Sequence, residues 1–227
     1  MGLTKRGWVI RLKARKMANQ LILSYYLNET NTILGEVINT AAMIRGGLAS
    51  QPDANQKLLA DLDQLVRVVS EIQVTLTDYL ILIDPQWAEL RPKIKEKSFS
   101  QTKENLAKVM TVLKQHLPQR EVPVLPRGNH LALLLYKTYN RLVIIDFFWQ
   151  EEEIEGGEAL KKATQELLGH LTQFFSILFR WANLLLNQKE HLWVEPGKKA
   201  PSPTNQLNPT PPAASSPANQ PPIGREK

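Results

Sequence analysis

Apolar residues recur along this chain at alternating steps of three and four. In residues 53–83, DANQKLLADLDQLVRVVSEIQVTLTDYLILI, one seam runs through Leu62, Leu65, Val69, Ile72, Leu76, Tyr79 and Ile83. Such spacing keeps one helix face against a partner helix. A helix of that length spans about 46 Å. Asp53 is the expected N-cap. Asp84-Pro85 is the expected stop, because proline disfavours helical geometry in the residue before it.

Residues 158–193 carry a second seam, from Leu160, Ala163 and Leu167 through Leu171, Phe174, Leu178 and Trp181 to Leu185 and Leu192. Leu168, Phe175, Phe179, Ala182 and Leu186 widen it, so burial on more than one side is expected. The pattern predicts two further helices, at about 129–155 and about 99–117. In the shorter one Leu106, Val109, Met110, Leu113 and Leu117 share a face, and Ser98–Gln101 has capping-box spacing.

The first 47 residues read as helical but not as one clean helix. A seam of Leu3, Ile10, Ala14, Met17 and Leu21 loses phase at NETN, residues 28–31, and another begins at Ile33 or Leu34 and runs through Val37, Ile38 and Ala41. A kink or joint is expected there. Gly46-Gly47 and Gly156-Gly157 are expected to punctuate helix ends. Residues 195–227 hold nine of the chain's 15 prolines among Ser, Asn, Gln and Ala, a composition that cannot build a core. The fold class is therefore all-α: an antiparallel bundle of about four to five long helices with a disordered Pro-rich C-terminal tail. The expected organisation is a basic helical segment over 1–47, packed on a bundle over 48–194, and the tail over 195–227.

Composition changes this picture only at the ends. The chain has 28 basic and 22 acidic side chains, a net charge of +6, and no cysteine. There is thus no disulfide framework, thiolate metal site or cysteine nucleophile. Lys5, Arg6, Arg11, Lys13, Arg15 and Lys16 alone equal the net charge. Residues 131–149 are the most apolar stretch, but Lys137, Asn140, Arg141 and Asp146 interrupt it, which marks a core helix rather than a membrane span. A short apolar run without a small-residue cleavage site argues against a secretory signal. The expectation is a cytoplasmic protein, not secreted, with peripheral membrane association left open.

Motifs for familiar chemistry are missing. There is no P-loop, no GxGxxG after a strand, no GxSxG and no HExxH. Glu166 and His170 stand four apart rather than the three of a di-iron helix, and no second pair exists. No catalytic residue, metal site or cofactor is read from the sequence. A polar group of Lys137, Arg141, His170 and Arg180 is the one place where an enzyme's chemistry would rest. With Phe148 and Trp149 it forms a candidate interface or pocket, since Phe147, Phe148 and Trp149 differ by about 100° each on a helix and cannot share a seam.

These observations favour a non-enzymatic adaptor or scaffold that self-associates as a homo-oligomer. Its anionic partner, a membrane surface or an acidic protein, would meet Lys5, Arg6, Trp8, Arg11, Lys13, Arg15 and Lys16. The alternative is a nucleic-acid-binding accessory subunit. It would contact phosphates through residues 5–16 and a second basic block over 91–127, chiefly Arg91, Lys93, Lys95, Lys97, Lys103 and Lys108. An acidic block, Asp146 to Glu158, is a further docking surface for these bases, within or between subunits.

Overall fold

The computed structural model describes residues 5–120, 122–152, 154 and 156–192, with side chains from residue 14 onward. It is an all-α bundle: α1 (Lys5–Ala49), α2 (Gln56–Ile83), a 3₁₀ helix (Pro85–Lys93), α3 (Glu96–His116), α4 (His130–Trp149) and α5 (Gly157–Leu185). Two-residue strands β1 (Val124–Leu125) and β2 (His191–Leu192) pair antiparallel, Val124 opposite Leu192 and Leu125 opposite His191. α1 lies between α2 and α4, and α5 lies between α4 and α3. The tail expected over 195–227 lies outside the described residues.

Helix ends depart from the sequence expectations for local reasons. The side chain of Asn55, not Asp53, caps α2 by accepting from Leu58 N–H. Asp84 closes α2 as expected and also starts the 3₁₀ helix, accepting from Gln86 N–H. α3 begins at Glu96 with no side-chain cap, so the capping box at Ser98–Gln101 is not used. Gly156, at φ +125°, does mark the start of α5, whereas Gly46 and Gly47 lie within α1. α5 stops at Leu185, and Leu192 belongs to β2.

α1 is helical from Lys5 to Ala49, so no break separates its two seams. Residues 28–31, where the phase is lost, are a stretch of polar contacts. Thr30 and Thr32 return their hydroxyls to the carbonyls of Tyr26 and Asn28. Glu29 reaches α4, and the carbonyl of Asn31 accepts from Gln73 of α2. The second seam is buried as expected at Ile33, Leu34, Val37 and Ala41, but the first half of the helix turns Leu23, Leu27 and Thr30 to the core. Met17 and Leu21, from the expected seam, are 71% and 74% exposed.

One buried cluster joins four helices. Tyr79 of α2 meets the rings of Phe99 (α3) and Trp149 (α4) edge-on, at 5.2 and 4.7 Å between centroids. Its hydroxyl donates to the Thr164 carbonyl of α5 at 2.6 Å. Trp149 Nε1 donates to Thr164 Oγ1 at 3.0 Å, and that hydroxyl donates onward to Lys161 O. Burial, together with the negative charges of Asp146 and Asp78, pushes the Tyr79 phenol well above its ordinary range, so it stays a donor.

A second polar clasp holds the start of α4 to α5. Asn183, fully buried, donates to Arg127 O at 2.8 Å and accepts from the Asn129 backbone at 3.3 Å. Asn129 in turn caps α4 by accepting from Ala132 N–H. The chain passes so close that a Cβ on Gly128 (φ +136°) would fall 1.8 Å from Asn183 Oδ1.

Tyr79→Phe should cost about 1 kcal/mol, one lost hydrogen bond, whereas Asn183→Ala should cost about 2–3 kcal/mol because several partners lose it together. Urea unfolding followed by circular dichroism separates the two. Asp78 and Asp146 give a pH prediction. Desolvation raises both carboxyls above their ordinary range, so their neutral forms suit the fold better. Their contribution to stability is full below the unfolded carboxylate value and declines as pH rises through the folded one. Replacing both with asparagine should raise Tm at pH 7, with the advantage vanishing near pH 3; equal gains at both pH values would contradict it.

Candidate functional site

The open face between α1 and α4 combines a held charge with exposed apolar side chains. The two helices run antiparallel: Arg15 pairs with Glu151 at 2.7 Å, and Glu29 with Arg141 at 2.8 Å. Met17, Leu21 and Tyr25, spaced four apart on α1, form an exposed apolar stripe that nothing in the chain's described residues covers. Tyr25 is 62% exposed, and Phe147 of α4 is 65% exposed.

Arg141 Nη2 donates to Glu29 Oε1 at 3.0 Å. Its Nε lies within ion-pair distance of Oε2, but the approach is too bent for a hydrogen bond, and both atoms are buried without one. The guanidinium stands 5.3 Å over the Tyr26 ring, which itself packs edge-on against Tyr25. Lys137 lies one turn from Arg141 on α4 and is exposed. The arrangement offers fixed positive charge beside an aromatic, apolar surface, a combination suited to a phosphate or a carboxylate.

The remaining members of the expected polar pocket are not brought to this place. Trp149 is buried in the four-helix cluster, and Phe148 is half-buried against the core. Arg180 binds Glu190 and the Pro118 carbonyl, with Arg120 on the other oxygen of Glu190. This ties the chain around β1 and β2 to α5. His170 Nδ1 is hydrogen-bonded to Glu166 O within α5. Glu166 also receives Lys103 of α3, and that hydrogen bond holds its carboxyl below the ordinary range. Among the described residues no group of three His, Cys, Asp or Glu is placed to hold a metal ion.

The basic segments are partly spoken for. Side chains of Lys5, Arg6, Trp8, Arg11 and Lys13 lie outside the described residues. Arg15 meets Glu151, and Asn19 and Gln20 reach Glu151 and Glu152, so this part of α1 docks on the acidic block within one chain. Lys16 is exposed but engaged. In the second block, Arg91 donates to Ile81 O and Lys103 binds Glu166, while Lys93, Lys95, Lys97 and Lys108 are exposed. No helix among the described residues is long and apolar enough to cross a membrane.

Sequence reasoning found Arg141 and Lys137 but missed Glu29, Tyr26 and the exposed stripe. The available signal was the loss of phase at NETN: a polar interruption in a seam marks a place where the helix meets polar partners. It was read as a joint because spacing alone does not say which face a polar residue turns toward.

No protein-family model matches this chain, and no curated protein matches it. Solved structures do. A variant PduO-type ATP:corrinoid adenosyltransferase from Lactobacillus reuteri, complexed with cobalamin and ATP, superposes with a TM-score of 0.51 at 18% identity, covering 77% of this chain and 83% of that one. A second such complex gives 0.50 at 17%, and another variant complexed with ATP gives 0.51 at 18%, covering 78% of this chain and 87% of each. The bundle is therefore the fold of those enzymes. The expectations of a non-enzymatic adaptor and of no catalysis are overturned by these neighbours. Motif searches failed because a helical bundle places ligand groups from side chains on facing helices and needs no strand-loop-helix signature. Acidic-protein, membrane and nucleic-acid partners gain no support.

Proposed function

We propose that this chain is an enzyme of the ATP:corrinoid adenosyltransferase kind, transferring the adenosyl group of ATP to a corrinoid. The observation that carries this reading is the bundle shared with those enzymes over more than three-quarters of both chains. The α1–α4 face supports it with the chemistry a nucleotide needs. Arg141, fixed by Glu29 and Tyr26, and Lys137 one turn away would take the phosphates. Glu29 balances part of that charge, and the phosphates would compete with it for the guanidinium.

Purified protein mixed with ATP and chemically reduced cobalamin should form adenosylcobalamin, followed by its absorbance spectrum and light sensitivity. Arg141→Ala should weaken ATP binding at least tenfold while circular dichroism stays unchanged. Absence of both ATP binding and ATP-dependent product from the folded protein would overturn the reading.

The same face supports self-association. Met17, Leu21 and Tyr25 form an exposed apolar stripe on α1, and Phe147 is an exposed aromatic on α4, side chains of the kind that a second copy covers. Phe147→Glu with Leu21→Glu should shift the protein to monomer in sedimentation velocity, without loss of helix content. A wild-type monomer at high micromolar concentration would contradict this.

A further inference from the structure

The gap between α2 and the α3–α5 pair is filled at one end and open at the other. Where Tyr79, Phe99 and Trp149 meet, aromatic rings plug it. Toward the N-terminus of α2 the helices leave a cavity of about 410 Å³. Its inner wall is Leu65, Val68, Leu113, Phe174 and Leu178, all buried, with Val109 and Trp181 at the sides. Val112 and Leu184, both exposed, continue the apolar lining to the surface.

The volume falls in the range of small-molecule sites, roughly 300–1,000 Å³. A water held inside needs two to four polar partners, and this inner wall offers none. An apolar occupant is favoured instead, since burying its surface is the dominant gain. Polar groups gather on one part of the lining: Lys57, Asp61, Gln64 and His116. Lys57 and Asp61 offset each other in charge, while Gln64 and His116 can each donate or accept. Such a rim suits a head that both donates and accepts a hydrogen bond and bears no full charge.

We propose that this cavity binds an uncharged single-chain amphiphile, such as a medium-chain alcohol or amide. Its chain lies between α2, α3 and α5, and its polar end meets Lys57, Asp61, Gln64 and His116. The site shares no residue with the α1–α4 face, and the proposal does not rest on the adenosyl-transfer reading.

The test compares 1-decanol, decanoate and decyltrimethylammonium, all below their aggregation limits, on the full chain by titration calorimetry and thermal shift. Decanol should saturate one site and raise Tm, binding at least tenfold tighter than either charged analogue. Val109→Phe, which adds bulk to the cavity from a half-buried position, should weaken decanol at least tenfold without lowering the Tm of the free protein. Val74→Phe, exposed and outside the lining, should leave binding within twofold. A photoreactive decanol analogue should label peptides containing residues 109–116 or 174–185, which reads the site without any substitution. No saturable decanol binding, equal binding by a folded Val109→Phe protein, or labelling confined to other peptides would overturn the site. Decanoate or decyltrimethylammonium binding as tightly as decanol would overturn the assigned ligand class.

Discussion

Everything in this bundle hangs on the contact of Tyr79 with Thr164 and Trp149. Pairwise packing links α1 to α2, α1 to α4, α4 to α5 and α5 to α3, a chain of contacts that does not itself draw α2 toward α3 and α5. Tyr79 supplies that closure, touching rings from α3 and α4 and donating to the backbone of α5. A buried hydroxyl without a partner would cost about 1–3 kcal/mol, so the Thr164 carbonyl fixes the depth and rotation of α2 as much as the apolar seam does. Thr164 serves both aromatics, through its carbonyl and its hydroxyl. A seam of leucines tolerates sliding; a shared hydrogen-bonding residue at its end does not.

Closure at one end sets the character of the rest. Beyond Tyr79, the N-terminal half of α2 lines the apolar cavity together with α3 and α5. On the opposite side, α1 and α4 are held in antiparallel register by ion pairs near both ends of their contact, Arg15–Glu151 and Glu29–Arg141. Met17, Leu21 and Tyr25 of α1 and Phe147 of α4 are turned away from the core, so the intrachain packing has no use for them.

Helix existence, the α2 and α5 seams and the Asp84 stop were legible in the sequence, since each depends on local spacing or a single proline. So was the second seam of α1, Leu34, Val37 and Ala41; the face buried by its first half was not. Met17 and Leu21 repeat at helical spacing just as Leu23 and Leu27 do, and only the position of α2 and α4 decides between the two stripes. Arg141 and Lys137 were visible as charges in an apolar helix. Their partner Glu29 was not, because it comes from a helix more than a hundred residues away. Asn183 was not legible for the same reason: its hydrogen bonds go to Arg127 and Asn129, more than fifty residues away.

Charge misled in a more instructive way. The net charge of +6 equals the bases of residues 5–16, which pointed to an anionic partner outside the molecule. Yet Arg15 faces Glu151, and the acidic segment after α4 lies against the start of α1. Exposed pairs of this sort contribute little to stability, about 0–1 kcal/mol each, and this one offsets the charge of Arg15. Arg141 is the opposite case. It is one charge among 28 bases, invisible in any total, yet it is mostly buried, stacked on Tyr26 and imperfectly matched by Glu29. Desolvation makes an imperfect pair of this kind costly to keep.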